Sequence, residues 1–136
     1  MPKPPLILAS ESQTRARMLR DAGVAIETAP ARIDEEAVKA AMKAEGAPAL
    51  DVADTLAEMK ALRISHRRPE AMVLGADQVL VCEGRLFDKP DSRETAAEQL
   101  RDLRGKSHDL ISAVSRINAR SRKLVGRPMI YLQIAD

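Results

Sequence analysis

Two serines and an arginine follow a short apolar run near the start of the chain. The run Leu6–Ala9 predicts a buried strand, Ser10 and Ser12 come directly after it, and Arg15 falls in the first turn of an amphipathic helix. A helix that begins where a strand ends presents unpaired backbone N–H groups and the positive end of its dipole. Hydroxyl groups and a guanidinium at that point can bind phosphate. An ordinary N-cap role for one serine is an equally good interpretation, and both stay open.

Asp77 is a carboxylate that could activate water or hold a metal. It follows an apolar strand predicted over Ala71–Leu74, in a Gly-Ala-Asp segment that is typical of a turn. Ligands of α/β sheets bind beyond the carboxyl ends of strands, so we expect Asp77 and Ser10 at one sheet edge. Taken alone, such a segment is more often a turn that Asp merely shapes.

Three further charged positions are weak signals when each is taken by itself. Lys89 precedes a proline and is therefore extended, Asp34 and Glu35 begin a helix, and Lys60 lies within another helix. A solvated lysine, acidic partners of the helix dipole and a surface lysine explain them equally well. Together they supply what pyrophosphate chemistry needs: cations for phosphates, carboxylates for a divalent metal, and a base for water.

The elements that must position these residues alternate between strands and helices. Strands are predicted over Leu6–Ala9, Val24–Thr28, Ala71–Leu74, Gln78–Cys82, Arg85–Phe87, Ser107–Val114 and Leu124–Ile134. Helices are predicted over Gln13–Ala22, Glu35–Ala44, Asp51–Ser65 and Ser92–Leu103, with Asp34 as the cap of the second. This order predicts one α/β domain over residues 1–136, with a mixed sheet.

Composition excludes several classes of function. The 22 basic and 20 acidic residues leave a net charge of +2, too balanced for a polyanion-binding surface. Phe87 and Tyr131 are the only aromatic residues, so stacking platforms for nucleic acid are missing. The single cysteine, Cys82, excludes a disulfide framework and a cysteine-rich zinc site, and its apolar neighbours indicate a buried strand position. No apolar run is long enough to span a membrane, so we expect a cytoplasmic protein with neither nucleic-acid nor membrane partners.

The ordered motifs of this chain resemble those of the Maf family of nucleoside triphosphate pyrophosphatases. The resemblance runs from Pro5 to about Val114 and rests on these segments: Leu6–Ser12 with Arg15, Asp34-Glu35, Leu56–Ala61, Gly75–Val79, Lys89-Pro90 and Leu103–His108. It implies a mixed, twisted sheet flanked by helices, as in inosine-triphosphatase-like proteins. It also implies hydrolysis of a nucleoside triphosphate to the monophosphate and pyrophosphate with Mg²⁺ or Mn²⁺, and it allows a homodimer.

The resemblance assigns a role to each matching position. Asp77 would be the general base that orients water at the α-phosphorus, and Glu35 would help it hold the metal. The residues that would hold the substrate are Ser10, Ser12, Arg15, Lys60, Gln78 and Lys89, all but Gln78 through phosphates. Gln78 is similar to the residue of the branch that acts on methylated guanine nucleotides, such as 7-methylguanine. His108 matches a recurrent histidine, for which a structural role is an equal alternative.

Two departures from the family pattern shape the expectations. The serine motif usually continues Pro-Arg-Arg, whereas Gln13 and Thr14 stand here before Arg15. Members of the family normally extend well beyond residue 136, so the C-terminal part of the domain is expected to be missing. We then expect exposed apolar side chains on the last strand, namely Ile130, Leu132 and Ile134. The alternative function is a catalytically inactive module that binds nucleotides or regulates a partner.

Overall fold

The protein forms a mixed α/β fold, in which helices flank a central sheet. It is described by a computed structural model over residues 3–117, together with the backbone of residues 129–134. The strands are β1 (Leu6–Leu8), β2 (Glu27–Thr28), β3 (Met72–Cys82), β4 (Arg85–Phe87), β5 (His108–Ile117) and β6 (Met129–Ile134). The helices are α1 (Gln13–Asp21), α2 (Glu35–Ala44), α3 (Ala49–Arg67) and α4 (Arg93–Leu103).

The sheet is mixed, as the sequence predicted. Its strand order is β2-β1-β3-β5-β6, and β4 pairs with the far end of β3. Strand β1 is parallel to both β2 and β3, while β3 is antiparallel to β4 and β5. The short β1 ends beside Leu74, whereas β3 continues for a further eight residues. Residues that follow β1 therefore lie beside the middle of β3.

The prediction of a turn at Gly75-Ala76-Asp77 was wrong, because β3 passes through these residues without a break. Gly75 pairs with Ser115 and Asp77 with Ala113, so β5 satisfies this stretch of backbone. The absence of a side chain at Gly75 allows a helix to pack close to the strand, and the residue does not form a turn. A Cβ atom at this position would overlap the carbonyl oxygen of Ala57 and lie 2.9 Å from the Cβ of Ala61. Helix α3 therefore packs directly against the backbone of β3.

The core lies between α3 and one face of the sheet. One cluster of buried residues comprises Ile7, Ala9, Ala61, Ile64, Ala71, Val73 and Ile117. A second comprises Val52, Ala53, Leu56, Ala57, Val79, Ile111 and Ala113. Alternation along β3 puts Val73, Asp77 and Val79 on this same buried face. Asp77 is thus a polar residue within an otherwise apolar row.

Other boundaries differ from the predictions at the ends of elements. The predicted strand over Val24–Thr28 is reduced to β2, and the predicted strand from Ser107 extends as β5 to Ile117. Residues 118–128 and the side chains of Ile130, Leu132 and Ile134 lie outside the described part, so their predicted exposure is untested. Within the described residues, no helix combines the length and apolarity that crossing a membrane requires.

Candidate active site

The turn after β1 uses both serines to organise the start of α1. Ser12 is the N-cap: its Oγ accepts a hydrogen bond of 3.2 Å from the backbone N–H of Arg15. The Oγ of Ser10 accepts one of 3.0 Å from the N–H of Ser12. These bonds leave the N–H groups of Gln13 and Thr14 as first-turn donors for a ligand. Each hydroxyl also keeps its own proton to donate, so capping and phosphate binding are compatible.

Arg15 connects this turn to the middle of β3. Its Nη1 donates to the Oγ of Ser10 and to the backbone oxygen of Ala76, each at 3.3 Å. The guanidinium is therefore held beside Asp77, the next residue along β3. The sequence predicted Asp77 and Ser10 at one sheet edge; in the structure Asp77 lies in the middle of β3, and Arg15 links Ser10 to Ala76, the residue before it. Ser10 lies beside the middle of β3 because β1 is short, whereas β3 continues past Asp77.

Lys60 forms ion pairs with two carboxylates, Asp77 and Glu35, that belong to different elements of the fold. Its Nζ lies 3.0 Å from Oδ1 of Asp77 on β3 and 2.7 Å from Oε1 of Glu35 on α2. Asp77 and Lys60 are 8% and 9% exposed, whereas the side chain of Glu35 is 40% exposed. The close packing of α3 on Gly75 brings Lys60 within reach of Asp77. The three groups form a charged cluster between the sheet and the helices.

The second oxygen of Asp77 carries no compensating hydrogen bond. Oδ2 is buried and has no hydrogen-bond partner among the described residues. Burial raises the pKa of Asp77, and the neighbouring charge of Glu35 raises it further. The charge and hydrogen bond of Lys60 and the charge of Arg15 lower it, but less strongly. The result is a carboxylate with a raised pKa, which suits it to accept a proton nearer neutral pH.

A cleft of about 1070 Å³ opens in front of this cluster. The predicted site residues that line it are Ser10, Ser12, Arg15, Glu35, Lys60 and Lys89. Lys89 is exposed at the rim, on the segment between β4 and α4. Asp77 lies behind this lining, linked to it by Lys60, and also borders a neighbouring hollow. Asp34 caps α2 as predicted, because its Oδ1 accepts from the N–H of Ala37 at 3.1 Å.

Gln78 does not join this cleft. Its side chain is exposed on the face of β3 opposite to Asp77, where its Nε2 donates to the Oγ of Ser112 at 3.2 Å. It borders the neighbouring hollow, which meets the cleft at Ser12 and Arg15. Neighbouring residues of a strand point to opposite faces, so Gln78 cannot lie on the face where Asp77 contacts Lys60.

The remaining candidates lie away from the cleft. His108 begins β5, and its Nδ1 is buried without a hydrogen-bond partner among the described residues. Cys82 is buried at the end of β3, with its Sγ 3.4 Å from the carbonyl oxygen of Ser107. The prediction that this thiol is a core residue is confirmed.

Sequence reasoning missed Lys39. Its Nζ lies 2.9 Å from Oδ1 of Asp88, the residue before Lys89. The available signal was its spacing from Glu35, four residues earlier on the same helix, which places both side chains on one face. Their partners, on α3 and after β4, are too distant in sequence to be recognised from that spacing.

The carboxylates of Asp77 and Glu35 suit a divalent cation that takes its remaining ligands from water and substrate phosphates. The orphaned Oδ2 of Asp77 and the half-exposed Glu35 are hard oxygen donors. Across residues 3–117, no group of three or more His, Cys, Asp or Glu side chains is arranged to hold a metal ion. Mg²⁺ commonly binds through one or two carboxylates together with water and substrate phosphates. The donor set matches that mode and not a cage made by the protein alone.

Comparison with known proteins places this geometry in context. The family model described as Maf-like protein matches residues 5–129. A nucleoside triphosphate pyrophosphatase of Ruegeria pomeroyi is 56% identical over 109 residues, which cover 80% of this chain and 55% of that protein. One of Granulibacter bethesdensis is 50% identical over 109 residues, with the same coverage of 80% and 55%. The chain therefore spans about half the length of the curated relatives it matches.

Solved structures share the fold at low sequence identity. A nucleoside-triphosphatase, or dITP/XTP pyrophosphatase, from Mycobacterium abscessus superposes with a TM-score of 0.58 and 14% identity. That likeness covers 96% of this chain and 73% of the other. A HAM1 protein from Coxiella burnetii gives a TM-score of 0.53 and 12% identity over 96% and 71% of the two chains. At these identities the likeness concerns the fold alone.

Proposed function

This chain belongs to the Maf-like protein family, and we propose on that basis that it is a nucleoside triphosphate pyrophosphatase. The reaction is hydrolysis of the bond between the α-phosphorus and the bridging oxygen, which releases the nucleoside monophosphate and pyrophosphate. The observation that carries the proposal is the carboxylate of Asp77, which is buried beside a cleft with its Oδ1 3.0 Å from the ammonium group of Lys60. The names of the relatives, nucleoside triphosphate pyrophosphatase, support the same reaction.

Asp77 acts as the general base in this proposal. Its raised pKa favours acceptance of a proton from the water that attacks the α-phosphorus. In the described structure Lys60 holds Oδ1 of Asp77. Binding of the triphosphate offers Lys60 a phosphate partner, and its release from Oδ1 opens the carboxylate to the cleft. Lys60 thereby changes from a partner of the base to a partner of the substrate.

The cations and donors around the cleft bind the triphosphate. Lys89 has no ion pair among the described residues and is free to meet an anion at the rim. Arg15 and the hydroxyl groups of Ser10 and Ser12 line the same cleft, with the N–H groups of the first turn of α1. Positive groups that line a cleft neutralise the charge that develops on the departing pyrophosphate.

We assign Asp77 and Glu35 as the residues that would hold Mg²⁺ or Mn²⁺. The bound metal would supply charge neutralisation and polarisation of phosphate oxygens. Glu35 is the more exposed of the two and is held through Lys60 until substrate enters. Its role as a ligand is supported by its position on the same ammonium group as Asp77.

The base of the nucleotide is the finer part of the proposal, and we assign it as a modified guanine such as 7-methylguanine. The support is Gln78 directly after Asp77, which resembles the branch that acts on methylated guanine nucleotides. A base that contacts Gln78 must lie in the hollow lined by Gln78, Ser112 and Val114. That hollow adjoins the cleft at Arg15, so one nucleotide can span both. Rates with 7-methyl-GTP, GTP, dTTP and UTP test this assignment.

Release of pyrophosphate by the purified protein tests the reaction. The assay compares nucleoside triphosphates with Mg²⁺, with Mn²⁺ and with excess chelator, and it identifies the nucleoside monophosphate as the second product. Turnover that depends on the metal supports the proposal. Nucleotide binding without turnover supports the alternative, an inactive nucleotide-binding or regulatory module. Light scattering of the same sample tests the homodimer that the family resemblance allows, and the proposed setting of the reaction is the cytoplasm.

A further inference from the structure

We propose that Lys39 is a positioning residue for Lys89, acting through its ion pair with Asp88. The inference rests on the proposed function, because Lys89 is the phosphate-binding residue at the rim of the same cleft. Lys39 itself does not line that cleft. It lines a neighbouring hollow together with Asp88, on the helix that also carries Glu35.

The ion pair is short and its lysine is partly buried. Nζ of Lys39 lies 2.9 Å from Oδ1 of Asp88, and the two side chains are 23% and 52% exposed. Burial lowers the pKa of Lys39, but the hydrogen bond and charge of Asp88 outweigh it and raise the pKa overall. The charges of Asp77 and Glu35 act in the same direction. Lys39 therefore stays protonated and paired.

A second contact holds the same residue through its backbone. Nε2 of Gln99, on α4, donates to the carbonyl oxygen of Asp88 at 2.8 Å. Lys89 follows directly and is restricted to extended conformations by Pro90. Asp88 is thus fixed from α2 through its side chain and from α4 through its carbonyl group. These contacts fix the residue from which Lys89 follows and so limit where its side chain can reach.

Helix α2 connects Asp88 to the charged cluster of Asp77, Lys60 and Glu35. Glu35 and Lys39 are four residues apart and occupy one face of the helix. Glu35 contacts Lys60 at 2.7 Å, while Lys39 contacts Asp88 at 2.9 Å. One turn of helix therefore sets the separation between the cluster and the segment that carries Lys89. A misplacement of about 1 Å at such a site can reduce a rate about 100-fold.

A purely structural ion pair is the competing explanation, and a double-mutant cycle separates the two. The variants are Lys39→Met, Lys89→Ala and the double variant, with Lys43→Met as the matched control. Lys43 is one turn further along α2 and is exposed, with no ion pair among the described residues. The measurement is the affinity for inorganic pyrophosphate in the presence of Mg²⁺ by titration calorimetry, with thermal unfolding of every variant.

We expect Lys39→Met and Lys89→Ala each to weaken pyrophosphate binding about tenfold, within the range that couplings between contacting groups span. The double variant should bind no more weakly than Lys89→Ala alone, because Lys39 acts only through Lys89. Lys43→Met should bind as the parent does. Asp88→Asn replaces Lys39→Met if that variant does not fold, and it should give the same loss.

The outcomes keep this inference separate from the proposed function. Losses that add in the double variant, or an unchanged affinity in Lys39→Met, overturn the positioning role and leave the enzyme assignment intact. An unchanged affinity in Lys89→Ala removes the residue that Lys39 is said to position, and with it the inference. A parent protein that neither binds pyrophosphate nor releases it from any nucleotide overturns the proposed function, and the inference falls with it.

Discussion

The ammonium group of Lys60 lies 3.0 Å from Oδ1 of Asp77, and both side chains are almost completely shielded from water. The lysine comes from α3 and the aspartate from the middle of β3. Removal of one partner of a buried pair leaves an uncompensated charge, whereas an exposed pair contributes little. This pair is therefore both the electrostatic centre of the site and a contribution to the stability of the fold.

Lys60→Met should lower the free energy of unfolding by about 3 kcal/mol at neutral pH, because Asp77 loses its buried partner. Urea unfolding followed by circular dichroism measures this loss. The matched control is Lys106→Met, which removes a lysine 3.9 Å from exposed Glu83 and should change stability by less than about 1 kcal/mol. Equal losses in the two variants would show that the Lys60 pair behaves as a surface pair.

Asp77→Asn should reduce pyrophosphate release about 10²–10⁴-fold, because the amide cannot accept the proton from water. The swap is nearly isosteric, so the variant should keep the circular dichroism spectrum of the parent. The control is Asp51→Asn, an exposed position at the start of α3, which should leave the rate unchanged. Undiminished turnover by Asp77→Asn would remove this carboxylate from the mechanism.

The rate should fall at acidic pH with a midpoint above the ordinary pKa of an aspartate. The base acts as the carboxylate, and burial raises the pKa of Asp77, so protonation inactivates it at higher pH than usual. Lys60→Met should shift the acidic limb of kcat/KM further upward, because the cation that lowers this pKa is gone. A limb at the ordinary aspartate value, or a downward shift, would contradict the assignment.

The same raised pKa predicts a pH dependence of stability. The folded state binds the Asp77 proton more tightly than the unfolded state does. This contribution to stability is complete below the unfolded pKa and is lost as the pH rises through the folded pKa. Unfolding curves of the parent and of Asp77→Asn, measured across that pH interval, test this. The parent should lose stability relative to the variant as the pH rises.

Gly75→Ala should destabilise the fold by about 3 kcal/mol, since the new Cβ overlaps the backbone of α3 at Ala57. It should also reduce activity, because α3 carries Lys60. The comparison is Gly23→Ala, where no atom lies within 4 Å but φ is +83°, so only the conformational cost of about 1–2 kcal/mol applies. Urea unfolding measures both variants. A tolerated Gly75→Ala would mean that α3 can move without loss.

The sequence alone predicted those local features whose determining residues all lie within one short segment. The start of α1 was predicted from serines that immediately precede it, and Ser12 caps that helix. Asp34 was predicted to cap α2 and does so through Ala37, three residues later. The ordered motifs also carried the family resemblance, because they lie in a constant order along the chain. Short-range hydrogen bonds and helical periodicity need no information from the rest of the fold.

Only the tertiary structure decided what depends on partners far along the chain. Whether Gly75–Asp77 turns or continues as a strand depends on pairing with β5, more than thirty residues away. Because the strand continues, Gln78 lies on the face opposite Asp77. The spacing of residues in the sequence could not distinguish this arrangement from a turn. The contact of Lys39 with Asp88 joins residues separated by 49 positions. Such contacts form because packing of α3 on the sheet and of α2 on α3 brings distant side chains together, and no local pattern encodes that packing.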